Sequence, residues 1–184
     1  MNAARQPVSR ARASTAAHIV QTPAVASIGA RVMFDTSALL KRYASEAGHQ
    51  RVLDVFAQAD RLFVAAHCQS EVAAALLLRR REACLPTREF ERVWAAVRRD
   101  IADMVRVALD DHVERYAFAA MEQEPMRVTD ALTLGSALAA NVDLFVTTNR
   151  RLAQVAQAMG VPAEWLDSAD GPIREHTPRE AAQA

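Results

Sequence analysis

The sequence predicts an α/β domain, a mostly parallel sheet with helices on both faces. Three observations carry this. Short apolar runs alternate with segments of helical periodicity from residue 31 to residue 167. Runs such as Val32-Met33-Phe34 and Leu144-Phe145-Val146 are apolar at consecutive positions, as strands buried on both sides require. The chain of 184 residues, 51% hydrophobic and 24% charged, is long enough to enclose a sizeable core.

The elements follow in order. A strand over 31–34 stops at Asp35, and a helical pattern over 37–43 opens after Thr36-Ser37. A helix over 48–59 leads to a second strand, 62–65. Helices over 69–84 and 88–102 form an inserted hairpin, broken by Leu85-Pro86-Thr87. The second of them repeats Phe90, Trp94, Val97 and Ile101 at i, i+4, i+7 and i+11. That stripe reads as core packing, or else as a surface for a partner helix or a second copy. A strand over 104–109 precedes helices over 111–122 and 130–140. A strand over 144–147, a helix over 150–159 and a strand over 163–166 complete the domain. Gly160 followed by Pro162 is a helix stop. Strands separated by helices imply parallel pairing and covered faces.

Residues 1–30 hold Arg5, Arg10 and Arg12 and no acid, and lack the continuous apolar core of a secretory signal. They read as a disordered extension. Residues 168–184, with Pro172, Pro178 and an Ala/Gln-rich end, read as a disordered tail. The 22 basic and 22 acidic residues cancel, which excludes a strongly basic nucleic-acid coat. Lys41 is the one lysine, and so marked an arginine bias reads as compositional. Cys68 and Cys84 sit at the two ends of one predicted helix, about 24 Å apart at the helical rise and beyond disulfide reach. Isolated thiols suit a reducing, cytoplasmic setting. No run approaches the roughly 18 apolar residues of a membrane span.

Chemistry gathers at the strand ends. Asp35 follows a buried strand, where ligands collect in open α/β sheets, although an Asp there is also a good helix N-cap. Glu71 shares a helix face with Ala74, Ala75 and Leu78, an apolar setting that disfavours an uncompensated carboxylate. Asp130 opens a helix whose face holds Leu134, Ala137 and Leu138, with Thr129 as an alternative cap. Gly135 costs that helix about 1 kcal/mol relative to Ala, which close approach of a neighbouring backbone would explain. Asn149 follows the fourth strand; it is an excellent N-cap, and its carbonyl oxygen can also contact a hard cation or a water. Three carboxylates brought together repel unless a cation balances them, and oxygen donors select Mg²⁺ or Mn²⁺ over zinc. His18, His49, His67, His112 and His176 show no ligand spacing and read as exposed or ordinary packing residues.

The runs Asp35-Thr36-Ser37-Ala38-Leu39-Leu40-Lys41-Arg42-Tyr43, Ser70-Glu71-Val72-Ala73-Ala74-Ala75-Leu76, Thr129-Asp130-Ala131-Leu132-Thr133-Leu134-Gly135-Ser136-Ala137-Leu138 and Phe145-Val146-Thr147-Thr148-Asn149-Arg150-Arg151-Leu152-Ala153 together resemble a PIN domain. The resemblance is to the VapC toxins of bacterial toxin–antitoxin pairs and spans about residues 31–166. It implies a three-layer α/β/α fold on a five-stranded parallel sheet and a Mg²⁺- or Mn²⁺-dependent ribonuclease. Asp35, Glu71 and Asp130 match the acidic metal positions. Ser37 matches a hydroxyl that holds the first acid, with Thr147 supporting it from the fourth strand. Asn149 stands where many members carry a fourth acid, a departure that weakens the case for a second metal. The implied activity is in-line hydrolysis of RNA, with Asp130 or Glu71 taking the proton of the attacking water. Lys41, Arg42, Arg150 and Arg151 flank the site as candidates for the RNA backbone. A cognate VapB-type antitoxin, which would insert a segment into the acidic groove, and a homodimer are the implied partners.

Two other readings compete. A haloacid-dehalogenase-like phosphatase also begins with a strand ending in Asp, but needs an acid where Ser37 stands. A non-catalytic module would keep the fold and use the groove to hold RNA or a partner, and Asn149 favours it.

Overall fold

A computed structural model describes residues 29–166; the predicted tails lie outside them except at residues 29 and 30, where Ala30, expected in the N-terminal extension, is buried and opens the first strand. The elements are β1 Ala30–Phe34, α1 Thr36–Leu40, α2 His49–Gln58, β2 Ala59–Ala65, α3 Cys68–Arg81, α4 Thr87–Ala102, β3 Val105–Val107, α5 Asp111–Gln123, α6 Val128–Ala139, β4 Leu144–Thr147, α7 Arg150–Ala158 and β5 Ala163–Trp165. A 3₁₀ turn, Lys41–Tyr43, continues α1. Every predicted strand and helix is present, with boundaries shifted by a few residues. The five strands are all parallel, in the order β3-β2-β1-β4-β5.

Alternation along the strands builds two cores. Val32 and Phe34 of β1, with Val64, Leu144 and Val146, face α1 to α4. Met33, with Phe63 and Phe145, faces α5 to α7 on the opposite side. Successive side chains point to opposite faces of a strand, so consecutive apolar residues are what a doubly covered sheet demands. The strand order runs outward from β1 in both directions, to β2 and to β4. The crevice at the carboxyl ends of β1 and β4 is therefore the switch point where open α/β sheets bind ligands.

One open alternative is resolved and one expectation is corrected. On α4, Val93, Val97 and Ile101 are buried, and Phe90 and Trp94 pack against the same core. The apolar stripe is thus core and offers no free face to a second copy. Helix α3 ends at Arg81, so Cys84 lies beyond it, exposed, while Cys68 is buried. Burial pushes the Cys68 thiol up to about 11, which leaves it an inert packing group. Gly160, with φ +88°, closes α7 as expected. Among the described residues, no helix is long and apolar enough to cross a membrane.

Candidate active site

Asp35 and Asn149 occupy equivalent places, each between a strand and a helix, yet their side chains do different work. Asp35 is the N-cap residue of α1 by backbone position, but its carboxylate makes no capping bond. Its Oδ2 instead accepts from Ser37 Oγ at 2.5 Å and from Thr147 Oγ1 at 2.9 Å. Asn149 does cap: its Oδ1 accepts from the backbone N–H of Arg151 and Leu152 at 3.1 and 3.3 Å. That fixes the amide, so Nδ2 donates to Asp130 Oδ2 at 3.3 Å. The Asn149 carbonyl therefore faces its own helix, and the expectation that it contacts a cation is replaced by a donor role toward Asp130.

The hydroxyls around Asp35 form a framework. Thr148 Oγ1 donates to Ser37 Oγ at 2.7 Å, and the Asn149 N–H donates to Thr147 Oγ1 at 3.0 Å. Asp35 N–H donates to the Val146 carbonyl at 2.9 Å, which locks the end of β1 to β4. Burial pushes the Asp35 carboxyl above the ordinary aspartate range; the Ser37 and Thr147 bonds pull it back, and the charges of Asp130 and Glu71 push it up again. The three acids thus act electrostatically on one another.

Glu71 lies in the first turn of α3. Thr36 Oγ1 donates to its Oε2 at 2.6 Å, which ties it to the residue beside Asp35. Its own helix face is not a core face: Leu78 is 54% exposed, and the core side of α3 is Val72 and Leu76. Partial exposure, 29% of the side chain, and not apolar burial is the setting of this carboxylate. Asp130 is buried, with Leu134 and Ala137 on its face also buried. Helix α6 begins two residues earlier than expected, with Arg127 at the N-cap, so neither Thr129 nor Asp130 caps it. In the first turn Asp130 meets the positive end of the helix.

Two residues escaped the sequence reading. Arg127 makes no cap bond and reaches forward to fork over Asp130, Nη2 to Oδ1 at 2.8 Å and Nε to Oδ2 at 3.3 Å. Its side chain is 79% exposed, and the Asp130 bond together with the charges of Asp130, Asp35 and Glu71 holds it firmly protonated. His67, at the N-cap of α3, places Nε2 3.1 Å from Thr133 Oγ1 and 3.7 Å from Glu71 Oε2. The i, i+4 spacing of His67 and Glu71, and the i, i+3 spacing of Arg127 and Asp130, were the available signals.

The flanking cations divide. Lys41 is buried, with Nζ donating to the Ala47 carbonyl at 2.8 Å and paired with Glu46 at 3.3 Å. Arg42 pairs with Asp100 at 2.6 Å and lies over the Phe56 ring at 4.2 Å. The 3₁₀ turn rotates both inward as structural groups, and they leave the set of RNA-binding candidates. Arg150 and Arg151, in the first turn of α7, are exposed.

The family model for the PIN domain matches residues 32–158. The chain belongs to the PIN-domain family. PIN domains are generally nucleases that use divalent metal ions. No curated protein matches the sequence. Among solved structures, FitAcB of Neisseria gonorrhoeae matches with TM-score 0.54 at 11% identity, over 72% of this chain and 95% of that one. VapBC2 of Rickettsia felis, solved with a DNA fragment from its promoter, matches with TM-score 0.52 at 13% identity, over 74% and 99%. VapC20 of Mycobacterium tuberculosis, described as a toxin that cleaves the sarcin-ricin loop, matches with TM-score 0.52 at 17% identity, over 71% and 95%. At such identities the likeness is one of fold.

In this PIN domain the metal question turns on the donors. Among the described residues, no three His, Cys, Asp or Glu side chains converge tightly enough to hold an ion as they stand. The donor chemistry nevertheless fits a hard divalent cation, being carboxylate oxygen throughout. The bonds to Asp35 and Glu71 fall on Oδ2 and Oε2, which leaves Oδ1 and Oε1 to other partners. Both Asp130 oxygens meet Arg127, so a cation arriving there competes with the guanidinium for them.

Proposed function

We propose that this PIN domain is a Mg²⁺- or Mn²⁺-dependent ribonuclease of the VapC type, the toxin of a toxin–antitoxin pair. The observation that carries it is the carboxylate of Asp35, which forgoes the helix cap and sits at the switch point within electrostatic reach of Asp130 and Glu71. A structural N-cap would have spent that carboxylate on backbone N–H groups, as Asn149 does. Asp35, Asp130 and Glu71 would hold the ion, which supplies Lewis-acidic charge at the phosphodiester when bound. Ser37 and Thr147 orient Asp35, and Thr36 orients Glu71. Glu71, the more open acid, is placed to accept the proton of the attacking water. Arg150 and Arg151 hold the RNA backbone.

A VapB-type antitoxin fits the same groove. The likeness in fold to a toxin–antitoxin complex of Klebsiella pneumoniae and to VapBC-5 of Mycobacterium tuberculosis supports such a partner, and an arginine inserted from it would meet the Asp130 carboxylate that Arg127 already forks. A homodimer in the cytoplasm completes this reading. Expression of the chain without its antitoxin is expected to arrest growth, and Asp130→Ala is expected to relieve the arrest. Unimpaired growth with soluble wild-type protein would count against the toxin assignment.

The competing reading is a PIN module that binds RNA or a partner without cutting, favoured by the amide of Asn149 in place of a fourth acid. Asn149→Asp separates the two. Aspartate is an equally good N-cap, so α7 keeps its start, while a second carboxylate replaces the amide donor beside Asp130. Mn²⁺ affinity measured by calorimetry is expected to tighten on the order of tenfold, and cleavage to rise with it. Unchanged affinity would remove the metal from this reading.

A further inference from the structure

Trp165 is the exposed aromatic residue nearest these acids in the hydrogen-bond network, and neither core uses it. The residue is 37% exposed and belongs to neither apolar cluster. β5 runs parallel to β4 with Trp165 opposite Thr147, so the ring stands at the sheet edge where the acids gather. The indole Nε1 donates to the Thr148 carbonyl at 3.1 Å. Thr148 Oγ1 in turn donates to Ser37 Oγ, and Ser37 to Asp35. Three side-chain bonds, joined through Thr148, thus hold the ring in register with Asp35. The guanidinium of Arg150 lies 5.6 Å from the ring centroid. Arg151 stands next to it, 64% exposed.

We propose that Trp165 and Arg150 form a stacking subsite for one base of single-stranded RNA. Proteins that bind single strands combine aromatic faces for the bases with cations for the backbone, and arginine adds a cation–π contribution. Both groups occur here on one rigid patch. Leaving a tryptophan ring part-exposed on a fixed hydrogen bond preorganises it, because little rotamer freedom is lost when a base arrives. Strand β5 is two strands out from β1, about 10 Å at the usual spacing. The stacked base therefore belongs to a nucleotide that flanks the cleaved bond. Every base has a π face, so the subsite adds affinity and register without fixing the target sequence.

The inference rests on the ribonuclease reading and is tested so that the two fail separately. The chain has two tryptophans, and Trp94 packs against the core, so Trp94→Phe leaves Trp165 as the sole tryptophan for selective excitation. A short, mixed-sequence single-stranded RNA titrated into that protein in EDTA is expected to quench the emission. In the wild-type background, Trp165→Ala is expected to weaken binding about 5- to 150-fold by fluorescence anisotropy, and Trp165→Phe to retain most of it. The subsite is overturned if RNA binds without quenching, if Trp165→Ala binds as wild type, or if only duplex RNA quenches. A patch that serves a protein instead leaves the emission unchanged by RNA and so overturns it too. If Trp165→Ala does not fold, the quench and the Trp165→Phe affinity decide. Quenching in a protein that cuts nothing with Mn²⁺ sinks the nuclease and keeps the subsite; cleavage without quenching does the reverse.

Discussion

Gly135→Val is expected to destabilise the protein by about 3 kcal/mol, a fall in Tm on the order of 10 °C followed by circular dichroism. A Cβ at residue 135 would lie 2.5 Å from the Val113 carbonyl oxygen and 3.0 Å from the Ala117 nitrogen, both backbone atoms of α5. Backbone cannot rotate aside as a side-chain tip can, so α5 and α6 must separate. The small side chains Ala117, Ala120 and Ala137, all buried, permit the close approach and lose their packing when it opens. Gly135→Ala isolates the clash: alanine returns about 1 kcal/mol of helix propensity, and the overlap must outweigh it. A neutral or stabilised Gly135→Ala protein would show that the helix pair can give. Because α6 also carries Asp130, Mn²⁺ affinity is expected to fall along with stability.

The glycine illustrates what was legible in the chain. A glycine in the middle of an apolar helix pattern costs enough to demand a neighbour, and the neighbour is there. The sheet was legible for a similar reason: Val32-Met33-Phe34 and Leu144-Phe145-Val146 are apolar at both parities, which only a strand covered on two faces supports. Asp35, Glu71 and Asp130 were legible as acids in costly or functional places, although Glu71 proved partly exposed and the argument from its helix face did not hold. What was not legible depends on rotation and on helix starts. Lys41 follows Asp35 by six residues and looks like a flanking cation, until the 3₁₀ turn carries it under the surface to Glu46. Arg127 was invisible because α6 begins on a residue without a capping side chain, and the better caps Thr129 and Asp130 drew the boundary inward. Trp165 joins the site through Thr148, a partner distant in sequence that no local pattern discloses, and the His67 contact with Thr133 is hidden in the same way, although its spacing to Glu71 was readable.

Asp35→Asn is expected to abolish metal-dependent cleavage of total RNA, by at least about a hundredfold, while leaving the fold intact. The substitution is nearly isosteric, and an asparagine carbonyl can accept from both Ser37 and Thr147 as Oδ2 does now. What it removes is the charge. Burial raises the Asp35 pKa in the folded protein above its unfolded value near 3.9, so the folded state holds the proton more tightly. The stability this group contributes is full below the unfolded pKa and is lost as pH rises through the folded one. In EDTA, the wild type is therefore expected to lose stability relative to Asp35→Asn as pH climbs from about 4 toward neutrality. Urea denaturation of the two proteins across that range measures the widening gap. Mn²⁺ is expected to restore the wild type at neutral pH, by binding the folded state alone, and to leave Asp35→Asn where it was. A variant that cuts RNA as well as wild type, or a wild type that Mn²⁺ does not stabilise, would remove Asp35 from the metal site. The stability gained by the inactive variant marks the residue as one kept for chemistry and not for folding, since a carboxylate buried beside two others is tolerated only where its charge is used.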